Sequence, residues 1–189
     1  SIAFYKKTFE NPISLVIRPG SSHNYISYSN SKNANVEGFE VEFMNKLKFI
    51  PVYLGSFSLG SNLSFIKSES KSYDQFISYM GNVQSDISNS KDRPMMGQSD
   101  FIFNGSLGWS WKNFYELNLS YNYYTKRLIY VGAGESPDEY EYPQPDLNLT
   151  SKINFKNVSI SFKVKNLFDS EYKLGSEYNL YLRHISEPT

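Results

Sequence analysis

The sequence predicts an all-β fold, an antiparallel meander of about seven long strands. Three observations predict it. Apolar and polar side chains alternate with period two over runs such as 101–111 and 114–124, while no stretch sustains a 3.6-residue period. Minimal turns alternate along the chain with long polar connections. Aromatic residues make up 17% of the 189 residues, with small polar residues abundant beside them, which suits strands with one greasy and one wet face.

Residues 1–9 read as a strand, with Phe4 and Tyr5 pointing to opposite sides. Asn11-Pro12 breaks it and 13–17 continue it, before a loop at 18–22 and a weaker strand at 25–31. The run 33–49 is a strong strand: Phe39, Val41, Phe43, Leu47 and Phe49 share one face, and Glu40, Glu42, Met44, Lys46 and Lys48 the other. Gly38 marks a bulge or a close backbone approach within it. Ile50-Pro51 turns the chain and 53–67 return, with Phe57, Leu59, Leu63 and Phe65 opposite Ser58, Asn62 and Ser64. A long polar connection, rich in Ser, Asp, Lys and Asn, covers about 68–97.

The hairpin 101–131 is the clearest element. Phe101, Phe103, Leu107, Trp109 and Trp111 alternate with Ile102, Asn104, Ser106 and Ser110. After Lys112-Asn113, Tyr115, Leu117, Leu119, Tyr121 and Tyr123 alternate with Glu116, Asn118, Ser120 and Asn122. A second long connection spans 132–145. Strands at 147–155 and 158–164 flank the turn Lys156-Asn157, and a loop starts at Asp169.

In a meander, this order places every short turn (near 50, 112 and 156) at one end and every long connection at the other. Phe49, Tyr53, Trp109, Trp111, Phe114, Tyr115 and Phe155 cluster beside the short turns. Long two-faced strands, one-sided loops and an aromatic girdle are the marks of a transmembrane β-barrel, of which this chain reads as a segment. A soluble ligand-binding β-barrel, with its greasy faces turned inward, is the alternative that alternation alone leaves open. No run of about 18 apolar residues offers a transmembrane helix. Lys+Arg and Asp+Glu both number 19, which removes the electrostatic case for nucleic acid. The absence of cysteine excludes disulfides and thiol chemistry. Ser1-Ile-Ala-Phe-Tyr-Lys-Lys7 already reads as the middle of a strand, so the chain is read as part of a longer one.

Several stretches resemble, in order, the C-terminal half of the barrel of TonB-dependent outer-membrane receptors. These are Phe4-Tyr-Lys-Lys7 with Asn11-Pro-Ile13, Asn33 through Gly38-Phe-Glu-Val-Glu42, Arg93-Pro-Met-Met-Gly-Gln-Ser99 leading to Asn104 and Leu107, and Asn166-Leu-Phe-Asp-Ser-Glu-Tyr172. The resemblance implies that 1–189 is a partial C-terminal β-barrel domain lacking the family's plug domain and final strand. It also implies a receptor in the bacterial outer membrane, in contact with lipid, that takes up a scarce nutrient such as a siderophore, vitamin or metal chelate. External loops and plug would capture this small-molecule ligand, with energy supplied through TonB. A passive porin-like barrel is the alternative within the membrane.

No enzyme is expected. His23 and His184 are distant in sequence and read as surface residues, with no third ligand or nucleophile beside them. Gly132-Ala-Gly134 lacks the strand–helix setting and lysine of a phosphate loop. No cofactor or metal site is expected. Glu40 and Glu42 share a strand face and read as a wet lumen wall, which the resemblance implies would contact the plug. The connection from Glu135 to Pro145 carries Asp138, Tyr140 and Tyr142, an acidic–aromatic group suited to a cationic or metal-chelate ligand, set against a plain solvated loop.

Overall fold

The computed structural model describes residues 1–20, 22–77, 83–134, 136–176 and 180–183, with backbone alone for 72–77, 83–90 and 180–183. β1 (Ile2–Glu10) and β2 (Ile13–Arg18) are two parts of one run bent at Asn11-Pro12, and β3 (Tyr25–Asn30) and β4 (Asn33–Lys46) return beside them. β5 (Ser56–Ile77) is 22 residues long, and β6 (Val83–Arg93) pairs with its outer half. β7 (Phe101–Trp111) and β8 (Tyr115–Tyr124) form the central hairpin. They are followed by β9 (Arg127–Gly132), β10 (Glu139–Glu141), β11 (Asp146–Phe155), β12 (Val158–Val164), β13 (Tyr172–Ser176) and β14 (Leu180–Arg183). Among the described residues the sole helix is a 3-10 turn, Val52–Leu54.

The strands make two sheets. The main sheet is antiparallel, in the order β1-β4-β5-β7-β8-β11-β12, with β6 beside β5. The second sheet runs β14-β13-β10-β9-β2-β3 and is assembled wholly from the long connections at one end of the first. At the opposite end the turns are tight. Lys112 and Asn113 both adopt positive φ, 49° and 55°, and the Phe114 N–H donates to Trp111 O at 2.9 Å. That is the turn geometry whose twist matches paired strands.

Register brings like side chains into rows. Phe4, Phe39, Phe65 and Phe101 are direct neighbours on four adjacent strands, with ring centroids 5.3, 5.7 and 5.0 Å apart, and Tyr123 extends the row at 6.3 Å. A second row lies by the short turns, where Phe57, Trp109 and Tyr115 follow at 6.3 and 5.4 Å. Phe57 to Phe65, Phe101 to Trp109 and Tyr115 to Tyr123 are each separated by eight positions. At ~3.4 Å per residue the two rows stand about 27 Å apart along the strands, or about 21 Å along the axis of a barrel whose strands tilt by ~40°. Leu59, Leu107, Leu119 and Leu149 fill the band between them, paired directly across β5, β7, β8 and β11. This band is open to the surroundings: Phe4 is 79% exposed, Phe162 62% and Leu107 43%. A continuous exposed apolar face of this size needs an apolar solvent or partner.

Three expectations change. The run 68–97 is not a plain connection, because β5 continues to Ile77 and β6 returns from Val83. Its polar composition conceals a ladder that extends strands already fixed by apolar pairing further down. The segment after Asp169 likewise holds β13 and β14 rather than a loop, and β10 lies inside the connection 132–145. Gly38 meets the close-approach expectation without a bulge: its register with β1 and β5 is unbroken, and the Tyr5 ring lies over it where a Cβ would come within 2.5 Å.

Candidate functional site

On the polar face the same register builds rows of hydrogen-bonding groups. Glu42, Asn62, Asn104, Asn122 and Asp146 are successive neighbours across β4, β5, β7, β8 and β11. The Asn122 amide donates to Asn104 Oδ1 within this row. Glu40 stands between Ala3 and Ser64, on the same face. Glu40 and Glu42 thus lie opposite Phe39, Val41 and Phe43, and Gly60, Ser106 and Ser120 floor the centre of the face.

The second sheet caps one end of this face and has the best-buried core of the described residues. Val16, Leu128, Val131 and Ala133 pack together, with Tyr140 against them. The core depends on a parallel contact between β2 and β9, pairing Val16 with Val131 and Ile17 with Gly132. The segment Arg93–Ser99 holds the assembly. The Met95 N–H donates to Ser68 Oγ, Met96 Sδ accepts from the Leu15 N–H, the Gly97 N–H donates to Leu128 O at 2.7 Å, and Ser99 Oγ donates to Thr125 O. One short motif therefore ties β5, β2, β9 and the end of β8.

Two ion pairs complete this frame. Arg93 Nε donates to Asp138 Oδ2 at 2.8 Å, and Asp138 Oδ1 accepts the Gly132 N–H at 2.8 Å. Glu141, only 6% exposed in its side chain, accepts from Arg127 Nε at 2.7 Å and from the Tyr124 hydroxyl at 2.6 Å. The hydrogen bond it donates to Glu141 raises the Arg127 guanidinium further above its ordinary range, against the opposing effect of burial. A buried carboxylate needs these donors, since leaving either charge unpaired is costly. Gly132 has its own reason to be glycine: a Cβ there would strike the backbone of Ser136 and Pro137. The signal in Gly132-Ala-Gly134 is close packing at Gly132 and a left-handed turn at Gly134, φ 61°.

The structure therefore engages all three acidic–aromatic residues of the connection internally. Asp138 uses both carboxylate oxygens, Tyr140 packs on the small core with Lys126 4.4 Å from its ring centroid, and the Tyr142 hydroxyl donates to Ser176 O. Glu40 and Glu42 are not brought near them in the pairing pattern. His23 is exposed, and His184 and Glu135 lie outside the described residues. No group of three or more His, Cys, Asp or Glu suited to a metal occurs among the described residues.

A cavity of about 810 Å³ opens on the polar face where the two sheets meet, between β8, β11, β12 and the turn that follows. Asn122, Asp146, Asn148, Lys163, Lys165 and Tyr172 border it. Its rim is fixed by a closed set of bonds. Asn148 donates to Asp146 Oδ2 at 2.7 Å and accepts the Asn166 N–H, while Asn166, in left-handed conformation with φ 52°, accepts the Ser170 N–H at 2.9 Å. Ser170 Oγ donates to Pro145 O at 2.6 Å, and Gln144 donates to Ser170 O. Sequence reading did not single out this cavity, although Asn166-Leu-Phe-Asp-Ser170, with its two turn-forming polar residues, was the visible trace of its rim.

A long-stranded antiparallel wall, apolar on one face between two aromatic rows and tightly turned at one end, defines a segment of an outer-membrane-type β-barrel. The model of the TonB-dependent receptor-like β-barrel family matches residues 1–167, a span that includes the whole main sheet. The chain belongs to this family, whose members are receptors and transporters of the bacterial outer membrane. Neither the curated proteins nor the solved structures gave a match.

Proposed function

We propose that this chain forms barrel wall and external structure of a receptor that takes up a scarce nutrient across the outer membrane, with energy delivered through TonB. The observation that carries this reading is the apolar band closed by two aromatic rows, with the second sheet built at one end only. At about 21 Å between the rows, such a band approaches the ~25 Å apolar height of outer-membrane barrels. The second sheet then lies outside the cell, and the polar face is the lumen. Among the described residues, β1 and β12 each have one edge without a partner in the main sheet, and further strands of the barrel would pair there. A plug domain would fill the lumen against Glu40, Glu42 and the asparagine row. The cavity below the second sheet is the part of the wall best placed to meet the nutrient, with Asp138, Tyr140 and Tyr142 holding the frame of that sheet above it.

Fractionation and intact mass of the native protein test this reading. A species in the outer membrane, far heavier than 21.8 kDa, is the expected result. A water-soluble protein of 21.8 kDa would overturn it.

A further inference from the structure

We infer that the three short turns of the main sheet form a docking surface for anionic phospholipid, seating the barrel on the inner leaflet of the outer membrane. This rests on the membrane placement proposed above and names a lipid partner for the end opposite the second sheet. The first argument is the turn between β4 and β5. Residues 47–55 read Leu-Lys-Phe-Ile-Pro-Val-Tyr-Leu-Gly, apolar throughout except for Lys48 and the Tyr53 hydroxyl, whereas turns are ordinarily built from polar residues, Gly and Pro. Phe49 is 82% exposed and Val52 88%, with Tyr53 and Leu54 exposed beside them. The turn is nevertheless fixed. Trp109 Nε1 donates to Leu54 O at 2.7 Å, and Gly55, φ 98°, has no room for a Cβ between Trp109 and Ser110 O. Trp109 belongs to the apolar face, so its indole straps the 3-10 turn Val52–Leu54 to that side of the sheet and not over the lumen.

The second argument is charge. Each short turn carries one lysine, Lys48, Lys112 and Lys156, and none carries Asp or Glu. Lys112 Nζ stands 4.7 Å from the Trp111 ring centroid and Lys156 Nζ 5.8 Å from that of Phe155, both rings of the apolar face. None of the three enters an ion pair among the described residues. Glu116, the second residue of β8, alternates to the polar face, where Lys152 is its cross-strand neighbour. Successive turns are two strands apart, about 10 Å at ~4.8 Å per strand, so the lysines form a row of one sign at the spacing of about a Debye length.

The third argument is the contrast with the other end of the same face. Beyond the upper aromatic row, Lys6, Glu37 and Lys67 are cross-strand neighbours, with Lys6 and Glu37 3.8 Å apart, and Lys71 lies 4.0 Å from Asp92. Cations there meet carboxylates of the chain itself; the turn lysines meet aromatic rings and solvent. Exposed apolar side chains and a row of cations at one level match a phospholipid, whose acyl chains and phosphate present the two complementary chemistries. An acidic soluble protein would satisfy the lysines, but the strapped turn lies on the side that faces lipid.

The test is native mass spectrometry of the full-length, delipidated receptor in detergent, titrated separately with dioleoylphosphatidylglycerol and dioleoylphosphatidylcholine. At low ionic strength the phosphatidylglycerol should bind more tightly by roughly tenfold or more, since each lysine near a headgroup contributes about fivefold. Lys48→Gln, Lys112→Gln and Lys156→Gln together should reduce that advantage to about twofold or less. All three are exposed turn residues, so this variant keeps the fold. Lys6→Gln with Lys67→Gln, at the other end, should leave the advantage unchanged. Phe49→Ser with Val52→Ser should weaken both lipids alike, because it removes the apolar seat and keeps the charge. Equal binding of the two lipids overturns the inference, as does an advantage that survives the triple substitution, one that falls as far with Lys6 and Lys67, or a double serine variant that binds both lipids as the parent does. Each of these results leaves the protein in the outer membrane, so failure here is distinct from failure of the receptor reading, which a water-soluble species on fractionation would show.

Discussion

Leu119→Arg tests the assignment of faces most sharply. Leu119 is four positions from Tyr115 and four from Tyr123, so it stands midway between the aromatic rows. Its direct neighbours are Leu107 on β7 and Leu149 on β11, which leaves no polar partner for a guanidinium at that level. If this face meets lipid, an arginine at the bilayer midplane should cost ~2–4 kcal/mol, and near the interface only ~0–1 kcal/mol. Ser120→Arg places the same side chain one residue on, toward the polar face, and Tyr115→Arg places it at the lower aromatic row. The assay is urea unfolding of the full-length protein folded into phospholipid vesicles, read by tryptophan fluorescence. Leu119→Arg should lower the folded-to-unfolded ratio by roughly 30- to 900-fold, with Ser120→Arg near the parent value and Tyr115→Arg between them. Equal costs at positions 119 and 120, or a larger cost at 115 than at 119, would refute the placement of the apolar band across the bilayer.

Two further outcomes follow. Trp109 and Trp111, the only tryptophans in the sequence, share the apolar face at the lower row, so lipids brominated near the headgroup should quench their fluorescence more than lipids brominated at the chain end. The reverse order, or no quenching, would contradict an interfacial position. Gly132→Ala should force the backbone of 136–137 to move and loosen the Asp138 contacts, at a cost of about 1–3 kcal/mol to the second sheet. Limited proteolysis should then cut between β9 and β11 sooner, with far-ultraviolet circular dichroism unchanged. An unchanged digestion pattern would show that the close approach carries no weight.

The sequence by itself determined the main sheet apart from β6 and the outer part of β5. Alternation such as that of Phe101–Trp111 is a local property, and a one-residue slip would turn every large side chain to the wrong face, so pattern alone fixes facing and nearly fixes register. Lys112-Asn113 and Lys156-Asn157 were legible for the same reason: a tight turn is set by its own residues. The lower aromatic row was visible because its members adjoin those turns, whereas the upper row required pairing across strands, since Phe4 and Phe101 are far apart in sequence and adjacent only through Phe39 and Phe65. Only the tertiary structure decided the second sheet. Its strands are short, and its central contact joins Val16 to Val131 in parallel, a pairing no local signal announces. The polar run after residue 67 reads as a loop because its composition lacks apolar alternation, yet it forms strands because β5 is already registered below it and the ladder propagates. The cavity belongs to the same class. Asn122, Asn148, Lys163 and Asn166 come from separate strands and a turn, and each reads singly as an ordinary polar residue. What makes them a site is that β8, β11 and β12 lie side by side, with the turn after β12 folded back and bonded over them.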